Sequence, residues 1–245
     1  MRALSASEML HVFERGSLLS LCDRALLLLA TAAPELSVDE LALLPVGARD
    51  RRLLQLRAAC FGDEIAILAH CPRCEAPSEF SVSAQALAAV EADTHEPGEA
   101  EQLSFGSALV RYRLPNTNDI ARLEQLEPDE AERKLVEACL LEATVLGVPT
   151  PFASLPPELS DALSRAMTEA DPVADLSFDL GCPACSHRWG MSFDIVSVLW
   201  SDVERRARRL LQEVDALARV YGWREDDVLG MSSRRRALYL EMALS

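Results

Sequence analysis

Lysine is almost missing from this chain: Lys134 is the only one, and every other basic residue apart from the histidines is an arginine. With the abundance of Ala and Leu, this reads as a bias of composition and not as a functional signal. No apolar run approaches the ~20 residues that a membrane-crossing helix requires; the block Leu26-Leu27-Leu28-Leu29-Ala30 is far too short. Met1 to Leu10 holds a single Arg and no apolar block, so a signal peptide is not expected. The metalloprotease pattern H-E-x-x-H does not occur, nor does a phosphate loop or a dinucleotide fingerprint. Ser, Asp and Glu are plentiful, but no motif places them. Catalysis has no candidate residue, and a protein that is not an enzyme is expected.

Positive charge is short as well. The net charge of −15 repels nucleic-acid phosphates unless a basic patch is concentrated locally. The excess is uneven: from Ser201 onward acids and arginines nearly balance, so the surplus acid lies upstream. A protein partner suits this distribution better than a duplex does. The seven cysteines, an odd count, argue against an exported disulfide scaffold and for reduced thiols in the cytoplasm. With 49% apolar and 26% charged residues over 245 positions, the chain has the composition of a globular protein of one or two domains.

Hydropathy periods organise the chain. Residues 1–62 read as a helical segment, with Met9, Val12, Phe13, Leu18 and Leu19 ahead of the apolar turn Cys22–Ala30. Ser37 and Glu40 have the spacing of a capping box, and a helix from Arg49 to Phe61 closes at Gly62. The period then becomes two: Glu64 to His70 is a strand leading into Cys71, and Phe80 and Val82 alternate on the way out. The same grammar returns with Leu176, Phe178 and Leu180 before Cys182 and Trp189, Met191, Phe193 and Ile195 after Cys185. Between these two devices, Glu91 to Glu101 is an acidic loop and Ala108, Val110, Tyr112 and Leu114 mark a strand. Helices are expected after the cap Asn116-Thr117-Asn118-Asp119, from Pro128 to about Leu146, and from Pro156-Pro157. From Val196 to Leu217 apolar residues recur every three or four positions as one long helix that Gly222 breaks, followed by short helices Glu225–Leu229 and Ser233–Leu244.

Chemistry concentrates in Cys71-Pro72-Arg73-Cys74 and Cys182-Pro183-Ala184-Cys185. A two-residue gap at a hairpin tip lets both thiolates face one ion, and two such tips complete a tetrahedron around structural Zn²⁺. The separation of roughly a hundred residues exceeds the compact ribbon spacing, and a helical insertion between the hairpins would bridge it. A redox dithiol is disfavoured because no helix N-terminus follows either pair to lower a thiol pKa. His70 and His187 flank the pairs as outer or solvated residues, while Cys22, Cys60 and Cys139 read as core thiols. Four thiolates around one ion leave no position for an activated water. Arg205, Arg206, Arg208 and Arg209 on the long helix, and Arg234-Arg235-Arg236 on the last, read as a solvated or salt-bridged face. Tyr221, Trp223 and Tyr239 beside them make either a docking surface with Arg234, Arg235 and Arg236 or part of the core.

On these residues the chain resembles the T-even phage-type baseplate hub assembly chaperone family of contractile tails and contractile injection systems. The likeness is carried by Phe13-Glu14-Arg15-Gly16, Asp23-Arg24-Ala25-Leu26, Leu44-Pro45-Val46-Gly47, both Cys-Pro-x-Cys motifs, and His187-Arg188-Trp189. It continues through Tyr221-Gly222-Trp223, Arg234-Arg235-Arg236 and Tyr239-Leu240-Glu241. The resemblance implies a protein that binds hub or spike proteins during tail assembly, or that is carried in the finished particle, with zinc as a stabilising feature. A zinc-ribbon nucleic-acid binder is the alternative.

The expected fold is α+β and predominantly helical. It comprises an N-terminal helical segment (1–62), a zinc-binding β subdomain with a small antiparallel sheet (63–115 and 173–195), a helical insertion (116–172) and a long C-terminal helix with a helical hairpin (196–245).

Overall fold

The structure, a computed structural model, describes residues 1–90 and 97–243. Of the acidic stretch Glu91 to Glu101, residues 91–96 therefore lie outside the described residues, as does Leu244 at the expected end of the last helix. Four helices come first: α1 (Ala6–Gly16), α2 (Leu21–Ala32), α3 (Val38–Leu43) and α4 (Val46–Phe61). Ser5 and Ser37 cap α1 and α3 and each closes a capping box, with Glu8 and Glu40. Leu18 and Leu19 leave the helical pattern and lie in the α1–α2 turn, where Leu18 is 97% exposed. Arg24 holds that turn, its guanidinium donating to the carbonyls of Gly16 and Ser17 and lying 4.4 Å from the centre of the Trp200 ring.

The chain continues through β1 (Glu64–His70), β2 (Pro77–Ser83), α5 (Ala84–Ala88), β3 (Glu101–Phe105) and β4 (Ala108–Tyr112). Then come α6 (Thr117–Ala121), α7 (Pro128–Cys139), β5 (Leu140–Val145), β6 (Val148–Pro149), a 3₁₀ turn (Phe152–Ser154) and α8 (Pro157–Ala170). The last elements are β7 (Ser177–Gly181), β8 (Arg188–Ser192), α9 (Ile195–Tyr221), α10 (Glu225–Leu229) and α11 (Ser233–Ala243). The architecture is α+β and mostly helical, with a C-terminal helix of 27 residues that Gly222 ends in a left-handed conformation at φ 67°.

Two expectations need correction. The β structure is not one small sheet: the described residues form three antiparallel sheets, β1-β2, β3-β4-β5-β6 and β7-β8. The stretch 116–172 is not purely helical either. The helix from Pro128 ends at Cys139, and Leu140–Val145 is strand β5, paired with β4 across Ala108↔Val145 to Arg111↔Glu142. Leu135, Val136, Cys139, Leu140, Ala143 and Leu146 also fit a helical period. The open edge of β4 decides between the two, because the strand satisfies backbone groups there that a longer helix would leave unpaired.

Two apolar clusters follow from this arrangement. The larger joins α1, α2, α4 and α9 with the β1–β2 hairpin, around Leu28, Leu29, Leu53, Leu54, Ile65 and Leu199. The second lies under the four-stranded sheet, where Val110, Tyr112 and Ala143 meet Val136, Leu159 and Leu163 of α7 and α8. A buried polar seam links the two parts. Asp171, after α8, accepts the Gly47 N–H at the start of α4 at 2.7 Å, and Val46 N–H donates to the Pro115 carbonyl at 3.0 Å. Arg49 binds Asp50 at 2.7 Å and reaches Thr117. Burial raises the Asp50 carboxyl pKa despite the guanidinium beside it.

Candidate metal centre

Each cysteine pair sits on the same local scaffold. In the first turn Cys71 N–H donates to the Ala76 carbonyl at 3.0 Å and Glu75 N–H returns to the Cys71 carbonyl at 2.9 Å. In the second, Cys182 N–H donates to His187 at 2.8 Å and Ser186 N–H to Cys182 at 2.9 Å. The residue after each second cysteine is forced into the left-handed region, Glu75 at φ 60° and Ser186 at φ 59°. Side chains other than glycine seldom adopt that conformation. Both turns therefore store strain at a position that the residue types do not advertise, so the sequence gives no signal for it.

The long-range packing then brings the two turns together. Cys71 Sγ lies 3.7 Å from Cys185 Sγ and Cys74 Sγ 3.6 Å from Cys182 Sγ, across separations of 114 and 108 residues. All four sulfurs lie within 4.8 Å of one another and could hold a metal ion. A tetrahedral ion bound at about 2.3 Å by four thiolates requires sulfurs about 3.8 Å apart, so the donor set and spacing are compatible with zinc. Behind the cysteines, Phe178 makes edge contacts with Phe80 at 5.7 Å and Phe193 at 5.6 Å, joining the second hairpin to the first and to the start of α9.

Electrostatics sets this cluster apart from the other thiols. Burial pushes Cys22 up to about 11 and Cys139 up to about 12, so these two are protonated core thiols; Cys60, also raised by burial, is only half-buried and accepts the Leu4 N–H. Desolvation also opposes ionisation of Cys182. There, however, the backbone N–H groups of Cys185 and Ala184 and the neighbouring thiols outweigh it and hold the group at about 7. At Cys185 the His187 N–H favours the thiolate, yet desolvation and the three other cysteines push it up to about 12. Cys74 is raised by the same crowding, against the Ala76 N–H. Cys182 is held low while its neighbours drive Cys74 and Cys185 up; a cation at the centre removes that conflict.

Neither His70 nor His187 supplies a ring nitrogen to the cluster. His187 contributes backbone groups, and its ring stacks on Trp189 with centroids 6.3 Å apart. The second group of sequence candidates is divided by the structure. Tyr221, Trp223 and Tyr239 form one aromatic stack, with Tyr221 and Trp223 4.5 Å apart and Tyr239 edge-on to both, and Arg235 lies 5.7 Å from the centre of the Tyr239 ring. Arg234 and Arg235 are exposed. Arg236 is no part of an exposed surface. It is 2% exposed, pairs with Glu213 at 3.0 Å and donates to the Met231 carbonyl, so it fastens α11 to α9. A run of three arginines gives no sign of which one points inward.

Fold and site together define an α+β protein with a cluster of four thiols at the meeting of two hairpins. Comparison with known proteins gives no match: no family model, no curated protein and no solved structure is similar enough to assign the chain.

Proposed function

We propose that the protein works by binding other proteins, as an assembly chaperone or hub component of a contractile-tail baseplate or a phage-tail-like contractile injection system. In this reading one zinc ion held by Cys71, Cys74, Cys182 and Cys185 is a structural clamp. The observation that carries the clamp is the convergence of all four sulfurs within 4.8 Å. A tetrahedron filled by protein thiolates has no open position for substrate or water, so the ion's contribution is cohesion. The protein acts in the cytoplasm or within an assembled tail-like particle, with hub or spike proteins as its partners.

The contractile-tail reading comes from the sequence resemblance, and several of the motifs behind it serve as joints. Gly16 lets Trp200 approach, Arg24 clamps the turn after it, Gly47 receives Asp171, and Tyr221, Trp223 and Tyr239 close α9 on α11. Leu238 and Met242, one turn apart on α11 and 52 and 58% exposed, leave apolar surface uncovered there.

Metal analysis of the purified chain tests the clamp, with one zinc per chain expected and well under one refuting it. Co-expression with the hub and spike proteins encoded beside it tests the partner, with a stable complex expected. Salt-sensitive retention of DNA or RNA in a filter assay, without any protein complex, would replace this reading by the nucleic-acid one.

A further inference from the structure

An antiparallel pair alternates between residues that exchange hydrogen bonds and residues that do not. Ala84 N–H donates to Asp63 at one end of the β1–β2 ladder and Cys71 N–H to Ala76 at the other, at 2.9 and 3.0 Å. With the register Ile65↔Val82, Ile67↔Phe80 and Ala69↔Ser78, these bonds make Ile65, Ile67 and Ala69 the residues joined to β2. Ala66 and Leu68 therefore aim their N–H and C=O groups away from β2. Among the described residues these groups meet no hydrogen-bond partner. Glu64, the next outward residue, has its carbonyl taken by Arg57.

This open edge borders a groove of 750 Å³ between β1 and α9, lined by Phe61 and Ile67 and by Val198, Ser201, Asp202 and Arg205 of α9. The same parity holds in β7–β8, where Cys182 N–H donates to His187 and Phe193 N–H to Leu176. The outward residues of the other hairpin strands include Pro77 and Glu79 on β2, Asp179 on β7 and Arg188 on β8. Prolines and charges are what blunt a sheet edge against further pairing. Ala66-Ile67-Leu68 on β1 has none, and Leu68 is 56% exposed.

We propose that this groove takes an extended segment of a partner protein, which adds as a third strand to β1 by main-chain bonds to Ala66 and Leu68. The inward apolar side chain of the segment covers the half-buried Phe61, Ile67 and Val198, and an acidic side chain pairs with Arg205. Charge favours that sign at this point: Arg57 and Arg205 share the one carboxylate of Asp202, at 3.2 and 3.3 Å, which leaves a guanidinium in excess, and the Arg205 side chain is 77% exposed. Strand addition takes affinity from the backbone and specificity from alternate side chains. The inference rests on the protein-binding reading above but needs neither the zinc nor the contractile-tail context.

The test pans a phage-displayed library of short random peptides over the full chain and synthesises the enriched sequences. Peptides with alternating apolar residues and an acid are expected. Leu68→Thr, which keeps the outward N–H, should bind them within about twofold, whereas Leu68→Pro and Arg205→Ala should each weaken binding by about tenfold, the scale of one lost interaction. Because the Leu68 N–H makes no bond to β2, the proline removes no ladder bond. Amide exchange on the unmutated chain gives a second readout, since Ala66 and Leu68 should exchange freely alone and become protected with peptide. Enrichment no better than on Leu68→Pro, or unprotected Ala66 and Leu68 amides in the complex, overturns the proposal. Peptide binding at β1 without any hub complex would sink the contractile-tail reading and leave this one standing.

Discussion

Removing the metal with a chelator should melt one hairpin and spare the helical body. No residue of β7 or β8 is fully buried: Phe178, Leu180, Trp189 and Met191 are half-covered and the residues between them are exposed. An isolated two-stranded hairpin is marginal in water at best. What remains without metal is chiefly the pair of edge contacts of Phe178 with Phe80 and Phe193, about 0.5–1.5 kcal/mol each beyond their buried area. The β7–β8 amides should then open at a cost of about 1–3 kcal/mol, which corresponds to protection of only about 5- to 150-fold. With zinc bound, opening must also release an ion whose binding contributes on the order of 10 kcal/mol, so the same amides should approach the protection of the helices. The helical cluster around Leu28, Leu29, Leu53, Leu54 and Leu199 includes none of the four cysteines, and its amides and the far-ultraviolet helical signal should change little. Hydrogen exchange read by mass spectrometry over 177–192, before and after chelation, makes the comparison. Unchanged protection in β7–β8, or cooperative loss of the whole helical signal, would refute the reasoning.

Further perturbations test the joints. Gly16→Ala places a methyl 2.4 Å from Trp200 Cη2, and the overpacking cost of about 1–3 kcal/mol should exceed the helix-propensity gain of about 1 kcal/mol, lowering the urea midpoint. Arg236→Ala removes the bonds to Glu213 and to the Met231 carbonyl while Arg206 and Arg209 still pair with Glu213, and should cost about 1.5–3 kcal/mol in the same titration, whereas Arg234→Ala and Arg235→Ala, both exposed, should stay within about 0.5 kcal/mol. Asp171→Ala removes the carboxylate that receives the Gly47 N–H at 2.7 Å and should cost about 1–2 kcal/mol, the range of a lost helix cap. The bond from Arg2, joined by Ser5, holds the Glu8 carboxyl at about 2, below its ordinary 4.5. A depressed carboxylate stabilises the fold fully above 4.5 and loses that contribution as pH falls toward 2, so Glu8→Gln should flatten the fall of the thermal midpoint over that window.

How much of this was legible beforehand depends on the range of the interactions. The boundaries of β1, the capping boxes at Ser37 and Asn116, the prolines opening α7 and α8, and the end of α9 at Gly222 all follow from neighbours within a few positions. The thiol motifs were readable for the same reason, since two residues between cysteines and alternating flanks describe a turn at a strand end. Strand β5 was not, because its residues fit two periods and only the edge of β4 selects one. The inward turn of Arg236 was not, because Glu213, its partner, lies 23 residues away on another helix.

The amino-acid order by itself thus determined the local devices: two turns with paired thiols, their flanking strands, the helix caps and the long amphipathic helix. Local backbone bonds and periodic apolar faces are enough to specify those. Tertiary structure alone decided that the two pairs of sulfurs meet across 108 and 114 residues, that the described residues form three sheets instead of one, and that the edge of β1 stays open beside α9. These outcomes depend on which distant surfaces compete for the same edge or face, and a linear pattern does not encode the winner.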